Sequence, residues 1–202
     1  MRTEGSAAFY TGDDVQLTIK TNFPDVQRAI DNLSADIADK VTARAVNRTV
    51  EQARTAMVKE IRTTYAVTSS YVRDRLRIKR ASFKQGAFGI QAELIGGDGK
   101  RRSSNVINFG ARQGLKGLTI KVRRDRPRQT IKGAFIGNKG RTVFRRTGTT
   151  RLPIDPVRTI DIPQMFNAKR VNRAVIAAMQ AKFPAIFRRE MDYALSRLGQ
   201  GR

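Results

Sequence analysis

Cysteine, histidine and tryptophan are absent from the 202 residues of this chain. Without cysteine there is no disulfide, no thiol nucleophile and no thiolate site for zinc or an iron–sulfur cluster. Without histidine there is no Ser-His-Asp triad, no imidazole metal ligand and no imidazole base at neutral pH. Acid is scarce as well, with 17 Asp and Glu against 40 Lys and Arg, a formal charge of +23. The candidate carboxylate pairs are Asp13 with Asp14 and Asp155 with Asp161, and nothing near either completes a metal shell. Long apolar runs are missing: Ala174 to Met179 is far short of the roughly 18 residues that a spanning helix needs. Met1 to Tyr10 lacks the basic-then-apolar order of a signal peptide. These absences argue against an enzyme, a cofactor, a bound metal and a membrane partner.

What is present suffices for a packed core, since 40% of the residues are hydrophobic. The length allows one large domain or two small ones. Val15 to Ile19 alternates apolar and polar residues, which predicts a short strand. Phe23-Pro24-Asp25 opens a helix, with proline at its first position and acid in its first turn. From there Val26, Ile30, Leu33, Ile37, Val41, Ala45, Val50, Ala53, Met57 and Ile61 form one apolar stripe. A helix of about 38 residues would be about 57 Å long. Its stripe packs either on a neighbouring subunit or across the chain's own sheet. Thr68-Ser-Ser caps a shorter helix with Val72 and Leu76 facing inward.

After Lys79 the period changes. Phe88 to Leu94, Val106 with Phe109, Leu118 to Val122, Ile131 to Ile136 and Val143-Phe144 read as short strands between glycine-bearing turns. Pro153, Pro156 and Pro163 mark an extended connection. Helical spacing returns at Val171, Val175, Met179, Phe183, Phe187, Met191, Leu195 and Leu198, with Pro184 predicting a kink or two successive helices. The predicted fold is α+β, with a long N-terminal helix and a C-terminal helix packed on a central antiparallel sheet. Residues 1–24 form an N-terminal arm with a short strand, and 25–198 a single domain. Within that domain we place helices over 25–80, the sheet over 82–146, an extended linker over 152–167 and the C-terminal helix over 168–198.

Charge is unevenly distributed along the chain. Residues 1–66 hold nine basic and nine acidic side chains, a net of zero. Residues 67–151 hold 22 basic and four acidic, a net of +18, and residues 152–202 add +5. A stretch with that excess repels itself unless it faces something negative. The candidate DNA- or partner-facing set is Lys121, Arg123, Arg124, Arg126, Arg128, Lys132, Arg141, Arg145, Arg146 and Arg151. A solvated strand face is the plainer reading of the same residues. Aromatics that would stack bases are missing among these cations, and Phe135 and Phe144 read as core, so backbone contact to a duplex fits better than base readout. Gly96-Gly-Asp-Gly-Lys-Arg-Arg102 is no phosphate loop: the glycine five residues before Gly99 is missing, and Arg101 stands where Ser or Thr would hold magnesium. It reads as a basic turn.

Several segments carry a family resemblance. Ala45-Val-Asn-Arg-Thr49 with Ala53-Arg54 and Ile61-Arg62, and the turn from Tyr65 through Val67 to Val72-Arg73, resemble the N-terminal part of the phage minor tail protein Z family. Gly133-Ala-Phe-Ile136, Arg151-Leu-Pro-Ile154, Pro163-Gln-Met165, Phe183-Pro184 and Arg188 to Glu190 are similar to its later motifs, so the likeness runs from about residue 40 to 195. The first 24 residues and Asp155 to Ile162 depart from it. The resemblance implies a virion structural protein with no catalytic residues, a tail completion factor at the head-proximal end of a long tail. The implied partners are copies of itself in a ring, a tail terminator or tail tube protein, and neck or connector proteins. Its implied locations are the virion and, during assembly, the host cytoplasm. A ring at that junction surrounds double-stranded DNA, contacted without sequence preference. Six copies of +23, if the ring follows six-fold tail symmetry, would carry +138. Two alternatives stand beside this reading: a sequence-independent nucleic-acid-binding module acting as monomer or dimer, and a minor protein of the distal tail tip.

Overall fold

The computed structural model describes residues 10–11, 14–19, 34–82, 90–97, 103–115 and 117–199. Helix α1, Ala35–Thr64, has Asp36 in its first turn and Arg62 in its last, both favoured by the helix dipole. The expected start of this helix at Phe23-Pro24-Asp25 lies outside the described residues, as do Val26, Ile30 and Leu33. The stripe is buried from Val41 through Val50, Ala53 and Met57 to Ile61, and half-buried at Ile37. The chain itself covers it, chiefly with helix α4, Lys169–Gly199, whose Val171, Val175, Met179, Phe183 and Phe187 recur every four residues. The two helices run antiparallel. Lys182 Nζ donates to Gln52 Oε1 at 3.3 Å, Arg48 pairs with Glu190 at 2.7 Å, and Arg44 lies 5.8 Å from the Tyr193 ring centre. Pro184 sits inside α4 without dividing it into two helices, on an exposed position where the missing amide faces solvent.

The chain continues through the short helix α2, Ser69–Arg73, where the Thr68 hydroxyl accepts from the Tyr71 amide as predicted. Strands β1 (Tyr10–Thr11), β2 (Asp14–Ile19), β3 (Leu76–Lys79) and β4 (Ala92–Gly96) form an antiparallel sheet in the order β1-β2-β4-β3. Thus the predicted strand at Val15 to Ile19 pairs with β4, Leu17 opposite Leu94. Leu76 to Lys79, which we placed among the helices of 25–80, is a strand. Val72 and Leu76 satisfy a helical spacing, but Leu76 and Ile78 also alternate with Arg77 and Lys79, and pairing with β4 buries Leu76. Gly96 is set by a close approach: a Cβ there would lie 2.6 Å from Cδ2 of Phe166.

A second β unit follows. Strand β5 (Ser104–Asn105) and a 3-10 turn, Val106–Phe109, lead into β6 (Arg112–Gly114), β7 (Gly117–Ile120) and β8 (Gln129–Ile131), paired in that order. β9 (Ala134–Gly137), β10 (Thr142–Arg146) and β11 (Ile154–Pro156) form another antiparallel sheet, and β12 (Arg158–Thr159) pairs with β5. Val106, Leu118, Ile120, Ala134 and Val143 make its own small core, in contact with the larger one through Val122. Several small antiparallel sheets therefore replace the one central sheet of 82–146. The stretch 152–167 is not an extended linker throughout, because it supplies β11, β12 and helix α3, Ile162–Phe166. Its prolines sit where they do little harm: Pro156 at a strand end and Pro163 in the first turn of α3.

Phe135 and Phe144 are not core residues. They pair across β9 and β10, half-buried, with ring centres 6.1 Å apart, while Ala134 and Val143 turn inward. Strand alternation puts the two rings on the other face, where Arg146 lies 4.9 Å over the Phe135 ring.

Candidate functional site

The second β unit carries all ten predicted basic residues, and strand direction sorts them to two ends. β7 runs from the β6–β7 tip toward the loop of residues 121–128. β8 runs back, and a two-residue turn at Lys132-Gly133 reverses the chain into β9. Lys121, Arg123, Arg124, Arg126 and Arg128 thus lie toward one end of the β6-β7-β8 sheet, and Arg141 lies at the β9–β10 turn of the other sheet. Lys132, Arg145, Arg146 and Arg151 lie toward the other end, beside the β6–β7 tip with its fully exposed Leu115.

The first end is tied to the helical layer. Ala66 N donates to Val122 O and Arg124 N to Thr64 O, both at 2.9 Å, and Tyr65 bridges to Arg123. Arg124 Nε donates to Arg62 O at 2.6 Å, placing a cation at the carbonyl end of α1, where the helix dipole favours it. Arg123 grips Asp125 with two hydrogen bonds, of 2.9 and 2.8 Å. Those bonds hold the Asp125 carboxyl below its ordinary range and raise the Arg123 guanidinium. Arg128 donates from Nη2 to Thr119 O at 3.0 Å and to Gly110 O at 2.5 Å, fastening the loop to β7. Three of the ten are therefore engaged in holding their own loop.

The others have looser commitments. Arg145 stands opposite Asp155 in the β10–β11 register, and Arg146 covers Phe135. Arg126, Lys132, Arg141 and Arg151 are exposed and their side chains make no hydrogen bond or ion pair among the described residues, although the Arg126 charge also helps to lower the Asp125 carboxyl. Such cations can meet phosphates by charge alone, with no protein bond to break first. The basic turn of residues 98–102 lies outside the described residues.

A buried polar cluster joins the two layers. The Tyr71 hydroxyl donates to Asp161 Oδ1 at 2.8 Å and is hydrogen-bonded to Ser104 Oγ, which accepts from Asn108 Nδ2 at 2.9 Å. Arg75 lies 3.7 Å from Asp161 and 3.9 Å over the Tyr71 ring. Asp161 also caps α3: its carboxylate accepts from Ile162 N, and its backbone amide donates to Gln164 Oε1 at 2.9 Å. Burial pushes the Tyr71 hydroxyl up to about 12, so it stays protonated at neutral pH and serves as a donor rather than a base. Asp155 and Asp161 do not pair: one is exposed on β11 and the other is buried in this cluster. Asp13 lies outside the described residues, and among those described no group of three acidic side chains could hold a metal ion. No described helix is long and apolar enough to cross a membrane.

A second cationic group escaped the sequence reading. Arg44, Arg48 and Arg54 of α1 come together with Arg73 and Arg80 beside β3. The available signal is the four-residue spacing of Arg44 and Arg48, which the zero net charge of residues 1–66 conceals.

Comparison with known proteins adds one match. The family model described as prophage minor tail protein Z (GPZ) matches residues 25–199. No curated protein and no solved structure matches the chain.

Proposed function

The chain belongs to the prophage minor tail protein Z family, and from that premise we propose that it forms a ring at the head-proximal end of the tail, open to DNA. Membership itself makes it a structural component of a phage tail, located in the virion. In the finer reading, copies of the chain join a tail terminator or tail tube protein on one side and neck or connector proteins on the other. Exposed side chains of the second β unit face double-stranded DNA. The host cytoplasm is where the ring assembles.

One observation supports this above the rest. Arg126, Lys132, Arg141 and Arg151 are exposed cations without a side-chain hydrogen bond or ion pair among the described residues, in a chain of net charge +23. Contacts of that kind go to the sugar–phosphate backbone, weaken steeply with salt and carry no sequence information. A protein that DNA must pass needs such contacts, because base readout would hold the moving strand at preferred sites.

Position in the particle tests the ring. Tails carrying a tagged copy, labelled with gold and imaged, should show label at the neck-proximal end. Label at the distal tip would overturn the head-proximal placement. Competition between unrelated duplexes tests the DNA contact: similar affinities are expected, and a marked preference for one sequence would favour a dedicated nucleic-acid-binding module.

A further inference from the structure

Between α1, the β3 segment and α4 run two adjoining hollows of about 290 and 440 Å³ that share Glu51 and Arg80. Five guanidiniums line them, from Arg44, Arg48, Arg54, Arg73 and Arg80, against the two carboxylates of Glu51 and Glu190. We propose that this groove seats an acidic segment of a neighbouring tail protein. The proposal rests on the tail reading only for the identity of the neighbour; the chemistry of the groove stands by itself.

The carboxylates present hold the arginines without using them up. Glu190, nearly buried, takes one nitrogen of Arg48, Nε at 2.7 Å. Glu51 takes one nitrogen of Arg80, Nη2 at 2.5 Å. Arg54 gives Nη2 to the Arg73 carbonyl at 3.1 Å. Arg44 lies over the Tyr193 ring, and neither its guanidinium nor that of Arg73 has a hydrogen-bond or ion-pair partner among the described residues. Arginine offers five N–H donors in a planar fork that matches a carboxylate with two parallel bonds. Most of these donors are unfilled, and the groove keeps an excess of three positive charges.

Two features favour a peptide over a nucleic-acid backbone. Val58 and Ile78 line the groove among the arginines, and an apolar contact there gains from a side chain but not from a phosphodiester. Glu51 and Glu190 would repel an evenly charged phosphate line, whereas a peptide can place neutral residues opposite them. Charge pairing of this sort sets register and partner choice as much as affinity.

The test uses the full purified chain and three probes: a fluorescent peptide alternating glutamate with leucine, the same peptide with glutamine for glutamate, and a short DNA duplex. Arg44→Ser, Arg73→Ser and Arg80→Ser are combined in one variant, leaving the buried Glu190 its partner Arg48. With three exposed charge pairs removed, affinity for the glutamate peptide should fall about tenfold. DNA affinity should change less than twofold, and the glutamine peptide should not bind. Unchanged glutamate-peptide binding, or an equal loss of DNA binding, overturns the proposal. In assembled particles, a photo-crosslinker at the exposed Thr55, which lines the groove, should couple to an Asp- or Glu-rich protein segment. Coupling to DNA, or to a segment without acids, overturns it. If the chain is absent from purified tails, the tail reading fails and the peptide measurements still decide the groove.

Discussion

Two double variants in the second β unit, each taking one cation from each of its two larger sheets, separate the cations that meet DNA from those that hold the fold. The first is Arg126→Ser with Arg141→Ser; the second is Lys132→Ser with Arg151→Ser. All four side chains are exposed and none makes a hydrogen bond or ion pair among the described residues, so neither variant should lose appreciable stability. Each phosphate neutralised contributes about 0.9 to the slope of log affinity against log salt, so a pair at full contact accounts for about 1.8. Over a fourfold rise in salt, that is about a 12-fold smaller loss of affinity than in the unsubstituted chain. The assay is fluorescence anisotropy of a labelled duplex titrated at several potassium chloride concentrations. Since Arg126 and Lys132 flank opposite ends of β8, and Arg141 and Arg151 opposite ends of β10, one variant should lower the slope by close to the full amount and the other by much less. A slope unchanged in both variants would refute the assignment of these residues to DNA. So would a larger drop in the Arg44, Arg73 and Arg80 variant, which would move the DNA contact to the groove on the helical layer.

Burial of the Arg48–Glu190 pair is lopsided, at 59% and 4% side-chain exposure, so its two halves should not cost the same. Arg48→Ala strands a buried carboxylate and should cost about 3 kcal/mol in urea unfolding, whereas Glu190→Gln frees an arginine that water reaches and should cost about 1; equal costs would contradict the asymmetry. Met57→Asp, at a fully buried position of α1, should abolish soluble folding, and a soluble, assembly-competent variant would sink the assignment of that face. The Tyr71 hydroxyl, raised from 10.0 to about 12, contributes stability that is whole below pH 10 and is lost as pH rises to 12. The urea midpoint of Tyr71→Phe should therefore fall less than that of the unsubstituted chain over this window, and parallel curves would refute the argument. Arg124→Ser should lower the melting temperature by removing the cation from the end of α1, while Arg126→Ser leaves it unchanged.

Periodicity made both long helices legible. Val41 to Ile61 and Val171 to Phe187 repeat at three and four residues, and a helix buries such a stripe whatever covers it. The strand at Val15 to Ile19 was legible for the same reason, at period two. Leu76 to Lys79 was not, because four residues fit both periods and the choice fell to β4, a partner distant in sequence. Phe135 and Phe144 were misjudged because hydrophobicity does not say which face of a strand is inward; the register of β9 with β10 does.

The positive excess of the chain, its lack of thiol and imidazole chemistry and its helical stripes followed from residue identity and local spacing, which need no knowledge of distant contacts. What each charge does followed only from tertiary structure. Arg124, one of a basic run, caps α1 from 62 residues away, and Arg128 is spent on Gly110 and Thr119, while the Arg126 side chain between them makes no hydrogen bond or ion pair among the described residues. Arg44 and Arg48 belong to a segment of zero net charge, yet folding sets them beside Arg73 and Arg80 from the basic segment. Coulomb interactions act through space over a few ångströms, so a charge balance counted along the chain cannot show which cations the fold leaves unpaired.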